Sequence, residues 1–514
     1  MKFLIILLCF GFFEFSFAQN HDNTWLLGAC EVYSNGGQEV SYVVTFNPNY
    51  QQDTVTRNMG INAAQATMSD TAGNLLFYSN NCLINNYRHE LMHNGDSLGD
   101  TLMWNFRGLG MGIDNTVALP HPDSTHLFYL LHISLFQANL GYTTDKLYYS
   151  LIDMNTKNGA GEVRLKNQLL YQSTAAESLD GGALKACKHA NGKDWWILQP
   201  LVDTLAYATF LIKGDSVIRK PNQYFPARKI RTGGAISAAF SPDGTIYAQA
   251  DDRLNIYNFN RCTGQLSYRR TPIIDAQYLG ATGMAISANS RFLYMVARTD
   301  NNSVFLPRDV GIYQYDLEAD DINGSLSMVI ENIFDDTFCY NSPICTSWGN
   351  MQLAPDGKIY AKTSLNFLHV IHNPDEKGAA CNPEMQAIRL NNSTEIDTRS
   401  VPNFPNYRLG AINPCVPRPV PNEGGEVISS VTENEAGAVK LYPNPARTEI
   451  TIEVSEASGE MSIEIVDILG RVLSTTTSNQ KTTIIQVSTL PAGLYSARLR
   501  TKRGLWTSKF IISK

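Results

Sequence analysis

One stretch of the sequence matches a known metal-binding pattern, His89-Glu90-Leu91-Met92-His93. On a helix, the two histidines would face one Zn²⁺ and the glutamate would act as general base. The asparagines before this stretch and the Asn94-Gly95 pair after it are turn formers, so they predict a loop between strands. We therefore assign His89, Glu90 and His93 neither a metal nor a catalytic role.

The other histidines and the paired acids are scattered rather than set at catalytic or ligand spacing. They comprise His121, His126, His369, His372, Asp251-Asp252 and Asp335-Asp336. Loop acids can bind Ca²⁺, but the Asp-x-Asp-x-Asp-Gly spacing of a calcium loop is missing from the sequence. The sequence has no Gly-x-Ser-x-Gly and no Cys-x-x-Cys. It predicts no cofactor and no catalytic residue, and it leaves open glycosidase acids that are paired only in space.

Composition favours an extracellular, β-rich protein. Of 514 residues, 43% are hydrophobic and only 17% are charged, with a net charge of -7. Basic residues never run beyond two in a row, so a nucleic acid is excluded as a partner. At this length we expect several domains or one repeat array.

The first 18 residues have the features of a secretory signal. Lys2 precedes an apolar run, and small residues stand at Ser16 and Ala18, which predicts cleavage after Ala18. The run is too short for a membrane anchor and is interrupted by Glu14. Bulky Leu8 before Cys9 argues against a lipoprotein.

The cysteines predict disulfides. The chain has nine, and loss of Cys9 with the leader leaves eight, an even number typical of exported proteins. Sequence cannot fix their connectivity. The pairs we prefer are Cys339 with Cys345, which enclose a short loop, and Cys381 with Cys415.

Between residues 24 and 412 one unit recurs, a strand, a tight polar turn and a second apolar strand. The clearest copies are residues 66–78, 117–129, 188–197, 239–247, 285–294 and 353–360. Their spacing, roughly 45 to 70 residues, suits a four-stranded propeller blade. A string of β-sandwiches would need ~100 residues per unit.

These units predict an all-β fold, a β-propeller with seven blades favoured and six possible. A seventh blade would be closed by the two ends of the region. Strands at residues 25–28 and 42–46 would pair with strands near residues 389–390 and 407–409.

Several motifs of this region occur together, in this order, in one family. They are residues 23–28, Gly73-Asn74-Leu75-Leu76-Phe77-Tyr78, His93-Asn94-Gly95, residues 188–192, the Pro-Asp-Gly turns and Val401-Pro402-Asn403-Phe404. The region resembles the N-terminal propeller of large surface proteins from gliding bacteria. Ser400-Val401 stand where that family usually has Gly-Leu. The resemblance implies fold and location more than chemistry.

Residues 413–437 are rich in proline, glycine and acids, and they predict a semi-extended linker. Residues 438–514 then alternate apolar and polar residues with period two, which predicts a small Ig-like antiparallel β-sandwich. The domain plan is thus a signal peptide (1–18), a propeller (20–412), a linker (413–437) and a sandwich (438–514).

The sandwich resembles the type A C-terminal sorting domain of type IX secretion. The motif residues we select from it are Leu441, Tyr442, Pro443, Asn444, Pro445, Gly470, Gly493, Leu494 and Tyr495. The resemblance implies recognition by the outer-membrane translocon and removal by a sortase-like peptidase. It further implies release or attachment to surface lipopolysaccharide. An Ig-like binding module that stays in place is the alternative.

Three functions remain compatible with the sequence. The favoured one is a secreted or cell-surface propeller, exported through the periplasm, that binds a glycan or protein ligand in adhesion. The second is a hydrolase or lyase acting on polysaccharide, with residues spread over several blades. The third is a structural part of the surface or motility apparatus. Fold alone does not choose among them.

Overall fold

The structure is a computed structural model. It describes residues 19–27, 39–46, 49–57, 59–61, 64–100, 114–138, 141–174, 177–202, 206–225, 237–250, 254–270, 278–299, 309–331, 350–362, 367–390, 401–412, 439–454, 461–466, 472–501 and 504–513. The chain forms two compact units, residues 1–419 and 420–514. The predicted signal peptide with its cleavage site after Ala18 lies outside the described residues, as do the whole linker, Asp251-Asp252, Asp335-Asp336 and Gly470.

The described strands of the first unit form seven antiparallel sheets, which we call blades 1 to 7 in chain order. Blade 1 has β1 (Thr24–Leu27), β2 (Glu39–Phe46) and β3 (Tyr50–Arg57), and blade 2 has β4 (Ala66–Ser69), β5 (Leu75–Ser79) and β6 (Ile84–Asn86). Blade 3 has β7 (Thr116–Pro120), β8 (Leu127–Ala138), β9 (Gly141–Asp153) and β10 (Glu162–Gln172). Blade 4 has β11 (Ser178–Leu179), β12 (Lys185–Lys188), β13 (Trp195–Val202), β14 (Ala206–Lys213), β15 (Ser216–Arg219) and β16 (Gln223–Tyr224). Blade 5 has β17 (Ser237–Phe240), β18 (Ile246–Ala250), β19 (Leu254–Asn260) and β20 (Gln265–Arg270). Blade 6 has β21 (Tyr278–Ile286), β22 (Phe292–Thr299), β23 (Asp309–Asp316) and β24 (Ser327–Ile330). Blade 7 has β25 (Asn350–Leu353), β26 (Ile359–Lys362), β27 (Phe367–Ile371) and β28 (Pro383–Arg389).

The tight turns predicted from sequence do join paired strands. In blade 5, Asp243 accepts hydrogen bonds from Thr245, and Gly244 has a φ of 70°, a value that suits glycine. The β-branched and aromatic residues on either side then pair across the hairpin, Phe240 opposite Tyr247. Local turn chemistry therefore sets the register of each blade.

Successive blades contact one another around a closed ring. The joining hydrogen bonds, in blade order, are Ser69 N to His21 O (3.0 Å), Asn81 Nδ2 to Ile133 O (2.8 Å), Leu184 N to Asp114 O (3.1 Å), Trp196 Nε1 to Arg261 O (2.8 Å), Asp243 N to Ser290 Oγ (3.2 Å) and Asn289 N to Asp375 Oδ1 (2.8 Å). The ring closes where the Trp25 and Phe46 rings of blade 1 lie 5.7 and 5.5 Å from Tyr360 of blade 7. The first unit is a seven-bladed β-propeller.

Ring closure differs from the prediction. The strands predicted at residues 25–28 and 42–46 build blade 1 by themselves with β3, and Arg389 ends β28 in blade 7. Residues 407–409 form no strand, so the closing strand predicted there is wrong. Pro402 and Pro405 just before it lack the N–H that a ladder needs.

The second unit is a two-sheet sandwich. Its strands are β29 (Val439–Tyr442), β30 (Glu449–Val454), β31 (Met461–Val466), β32 (Val472–Ser478), β33 (Thr482–Gln486), β34 (Gly493–Thr501) and β35 (Gly504–Ile512). The sheet orders are β29-β30-β33 and β32-β31-β34-β35. The predicted alternation is confirmed, because Ile450, Ile452 and Val454 of β30 are buried while the residues between them are partly exposed.

Candidate functional site

The centre of the propeller ring contains part of the chain itself. Residues 401–412, which we call the central segment, run past the innermost strands of several blades. Asn403 Nδ2 donates to Thr116 O of blade 3 at 3.1 Å and to Leu184 O, beside blade 4, at 2.9 Å. Asn350 of blade 7 donates to Val401 O. The segment thus satisfies its own polar groups and those of the channel wall.

Aromatic side chains hold the middle of the central segment. Tyr407 is fully buried, and its ring lies edge-on to Trp195 at 5.8 Å and to His21 at 5.3 Å. Its hydroxyl donates to Ala118 O at 2.8 Å. Phe404 lies 6.1 Å from Trp25. Rings of this size dominate packing energy, so the segment is part of the propeller core.

The far end of the central segment ties the N-terminal strand to blades 4 and 5. Arg408 makes a bidentate ion pair with Asp22, both contacts at 2.7 Å. Ile412 N donates to Ala190 O, and Arg261 donates to Gly410 O, each at 2.7 Å. A planar guanidinium facing a carboxylate fixes orientation as well as charge.

A buried polar network lies where the central segment passes blades 3, 4 and 7. Lys185 Nζ is 2.6 Å from Asp114 Oδ2 and 2.9 Å from Asn403 Oδ1. Asn350 Nδ2 donates to the other Asp114 oxygen at 2.9 Å. Asp114 and Asn403 are 2% and 3% exposed, so these groups depend on one another rather than on water.

Lys188 is the second buried lysine of the channel. Its ammonium donates to Gln19 Oε1 at 2.6 Å and to Tyr407 O at 2.5 Å, and it lies 5.3 Å from the Trp195 ring centroid. Burial, with Arg261 nearby, lowers the pKa of Lys188 to about 8. Its partners are neutral, so no carboxylate offsets the cost of burying the charge.

A cavity of about 350 Å³ remains between the central segment and blades 4 to 7. Apolar residues such as Phe240, Met284 and Met351 line much of it. Its four charged lining residues are Asp22, Lys185, Lys188 and Arg408. Each of the four is held by the partners described above. The cavity has the size of a small ligand site, with charges that support the wall.

The His-Glu-x-x-His stretch is not on a helix. Residues 87–90 form a turn, and His89 has a φ of 64°. His89 Nδ1 lies 3.3 Å from Tyr78 Oη, whereas His93 Nδ1 lies 3.6 Å from Glu162. The two imidazoles therefore have different partners, and Glu90 lies in the turn between them. Among the described residues, no group of three acids, histidines or cysteines is placed to hold a metal.

The remaining histidines each have a structural environment. His121 pairs with Asp215 at 3.1 Å and stacks on Tyr129, and His126 contacts Ser124 and Asp153. His372 lies 2.8 Å from Glu384. His369 is buried, accepts a hydrogen bond from Gln386 N, and has its pKa lowered to about 4 by burial. The structure does not bring these histidines together.

One of the two predicted disulfides, Cys381–Cys415, does not form. Cys381 is a free thiol, fully buried in an apolar cluster with Tyr294 and Ile371, so the expected Cys381–Cys415 pair is corrected. A thiol there packs as a small apolar group. Cys262 is disulfide-bonded. Cys339, Cys345 and Cys415 lie outside the described residues, and so does the predicted Cys339–Cys345 pair.

In the C-terminal unit, the first motif, which comprises residues 441–445, lies against the last strand, β35. Leu441 and Tyr442 end β29, and Pro443, Asn444 and Pro445 follow. Asn444 Oδ1 accepts from Ile511 N at 2.9 Å, and Ala446 N donates to Ile511 O at 2.7 Å. Tyr442 is 44% exposed and Ile511 is 47% exposed, so the junction is at the surface.

The motif residues Gly493, Leu494 and Tyr495 lie at the same edge. Gly493 and Leu494 open β34 and lie opposite Ile512 and Ile511 of β35. Tyr495 is buried, and its hydroxyl donates to Pro491 O at 2.8 Å. Two motif segments far apart in sequence, residues 441–445 and 493–495, therefore meet β35 at one end of the sandwich, a convergence the sequence did not reveal.

The C-terminal unit has a family match. Residues 440–513 match the family described as the secretion system C-terminal sorting domain. This segment is a type IX secretion sorting domain, and it indicates export to the cell surface or into the medium. No curated protein is significantly similar to the chain. No helix in the described residues is long and apolar enough to span a membrane.

Solved structures with similar folds are distant in sequence. A protein of Bacteroides fragilis NCTC 9343, provisionally described as a 6-phosphogluconolactonase, has 13% identity and a TM-score of 0.41, covering 74% of this chain and 97% of its own. A similarly described protein of Bacteroides uniformis has 13% identity and a TM-score of 0.40, covering 68% and 92%. Hydrazine synthase of Kuenenia stuttgartiensis has 12% identity and a TM-score of 0.34, covering 59% and 72%.

Little in the sequence predicted the central segment as a site. It drew attention to residues 401–404 only as a shared motif. The usable signal is local: two prolines and two asparagines alternate with Phe404 and Tyr407 in a stretch with no strand periodicity. Prolines lack the backbone N–H needed for strand pairing, and large aromatic rings need burial, so such a stretch must pack through its side chains.

Proposed function

We propose that this protein is a secreted or surface-attached propeller that binds a ligand without transforming it. The observation that carries the proposal is that charged side chains lining the cavity are already held by partners within the protein. Asp22 is paired with Arg408, and Lys188 donates to Tyr407 O. A general acid or base must be free to exchange a proton with substrate, whereas these groups hold the wall in place. A rigid, partly apolar cavity suits recognition.

The C-terminal unit acts as the export signal in this proposal. The translocon reads the exposed surface formed by Tyr442, the Pro-Asn-Pro turn and Ile511. A sortase-like peptidase then removes residues 438–514, and the propeller is released or joined to surface lipopolysaccharide. Support comes from the convergence of two motif segments, residues 441–445 and 493–495, on β35. A module that stays in place needs no such convergence.

A glycan unit or a protein side-chain cluster is the ligand class we favour. A volume of about 350 Å³ accommodates a group the size of a sugar ring. Met284, Met351 and Phe240 in the lining supply apolar contact to such a ligand.

A glycan array and a polysaccharide hydrolysis screen on the mature exported protein test this proposal. We expect retained ligand without release of reducing ends. Ala288 lines the cavity from an exposed turn, so Ala288→Trp should block binding at least tenfold without disturbing the core. Ala72→Trp, in the equivalent turn of blade 2, is the matched control and should bind normally.

Two outcomes would overturn the binding proposal. Release of reducing ends at an enzymatic rate favours the hydrolase or lyase. A motility defect on deletion of the protein, with no glycan or protein bound, favours a structural part of the surface apparatus.

A further inference from the structure

The buried network of Lys185, Asp114 and Asn403 has the composition of a reactive site. It places a primary amine next to a side-chain amide, and a carboxylate accepts a hydrogen bond from the same amine nitrogen. The distances are 2.9 Å from Lys185 Nζ to Asn403 Oδ1 and 2.6 Å to Asp114 Oδ2. The three residues come from different parts of the chain, separated by 71 and 218 positions from Lys185.

We propose that Lys185 and Asn403 form an intramolecular isopeptide bond, with Asp114 as the proton carrier. The bond would fasten the central segment covalently to the innermost strand of blade 4. The proposal does not depend on what the cavity binds.

The geometry fixes the electrophile. The Asn403 amide nitrogen donates to Thr116 O and Leu184 O, which prevents the side chain from turning away. Its oxygen accepts from Lys185, so the amine stands beside the carbon to which that oxygen is bonded. Holding reactants in contact in this way replaces a bimolecular encounter with an intramolecular step.

Asp114 supplies the proton acceptor that the Lys185 ammonium needs. A lysine ammonium is not nucleophilic, and it must lose a proton before it attacks. Asp114 is 2% exposed, its other oxygen accepts from Asn350, and the Lys185 side chain is only 12% exposed. Away from water, transfer of a proton from Lys185 to Asp114 exchanges a buried ion pair for a neutral pair, which lowers the desolvation cost.

The reaction balances without an oxidant or another reactant. The Lys185 ammonium gives one proton to Asp114, and the neutral amine forms a bond to Asn403 Cγ. The Asp114 carboxyl group gives its proton to Asn403 Nδ2, and the resulting carboxylate then takes a proton from the attacking nitrogen. The Cγ–Nδ2 bond breaks, ammonia leaves and takes up the remaining proton, and the Asp114 carboxylate is restored. One lysine and one asparagine become a secondary amide.

Lys188 provides an internal control. It also donates to a side-chain amide, Gln19 Oε1 at 2.6 Å, but its other acceptor is the Tyr407 carbonyl oxygen. Neither of these two partners can carry a proton between the nitrogens. We therefore expect no bond between Lys188 and Gln19.

The test is peptide mapping of the full chain by tandem mass spectrometry after trypsin. We expect a branched peptide that joins the Lys185 and Asn403 segments, lighter than the sum of its parts by one ammonia, in most molecules. Unlinked Lys185 and Asn403 peptides accounting for the population would overturn the proposal, as would loss of water with a link to Asp114.

Two variants identify the roles. Lys185→Arg keeps the positive charge and hydrogen bonds, but a guanidinium stays protonated and cannot be acylated, so the branched peptide should vanish. Asp114→Asn keeps the shape and cannot accept the proton, so the yield should fall at least tenfold. A normal yield from Asp114→Asn would contradict the role of Asp114.

Discussion

Lys188 shows how the centre of the propeller holds a charge without a counter-ion. Burial lowers its pKa to about 8 from 10.5. Between these values the unfolded chain binds more protons than the folded one, so the free energy of unfolding rises with pH. The penalty is fully present below pH 8 and disappears above about 10.5.

The measurement is urea denaturation at about pH 8 and about pH 9.5, with Lys188→Met as comparison. The wild type should gain on the order of 1–2 kcal/mol more than the variant over this interval. Equal gains in both proteins would show that Lys188 is solvated.

His132 should make the propeller sensitive to acid. It is fully buried beside Ser150 and Tyr148, and burial lowers its pKa to about 3. Between pH 6.5 and 3 the unfolded chain binds the extra proton, so stability falls as the pH drops through this window. His132→Gln should flatten the acid limb of a thermal-stability profile, whereas the exposed control His93→Gln should leave it unchanged.

At the scale of single elements, two Pro-Asp-Gly turns of identical sequence have different surroundings. Gly244 and Gly357 have φ values of 70° and 80°. A Cβ on Gly244 would lie 2.8 to 2.9 Å from Arg261, Leu409 and Cys187, whereas one on Gly357 would meet nothing within 4 Å. Gly357→Ala should therefore cost about 1 kcal/mol from backbone strain alone. Gly244→Ala should cost more by about 1–3 kcal/mol through overpacking, and equal costs in denaturation would contradict the packing of Leu409 there.

The junction between the first motif and the last strand of the sorting domain should be needed for export. Asn444→Ala removes the acceptor of Ile511 N, a loss of about 1 kcal/mol, and so weakens the attachment of the Pro-Asn-Pro turn to β35. We expect several-fold more protein in the periplasm of a type IX host, measured by fractionation and immunoblot. Ser474→Ala, on exposed β32, is the control, and equal export of both variants would mean that the translocon reads another surface.

The elements most predictable from sequence were those specified by neighbours in the chain. The blade hairpins and the sandwich strands followed from turn residues and from alternation, which act over a few positions. The central segment did not, because the contacts that order it are distant, such as Asn403 with Thr116 across 287 positions. The strand expected at residues 407–409 is absent for the same reason, because distant partners hold Tyr407. Its carbonyl oxygen accepts from Lys188, and its hydroxyl donates to Ala118 O.

At the scale of the whole molecule, the sequence predicted the export route better than the candidate site. The sorting motifs are short and local, so they could be read directly, and the family match at residues 440–513 confirms the sorting domain that they predicted. The cavity is assembled from four blades and the central segment, so its position depended on a ring closure that local patterns do not encode. Blade 1 illustrates this, since its own strands gave no indication that Trp25 would contact Tyr360.

The intact mass of the protein recovered from the cell surface or medium of a type IX host tests the central claim most directly. If the signal peptide and the sorting domain are both removed during export, the recovered chain should begin at Gln19 and end before the sorting domain, near residue 438. Its mass should correspond to that chain plus any surface attachment. An exported chain that still ends at Lys514 would contradict the assignment of the last unit as a removable sorting signal.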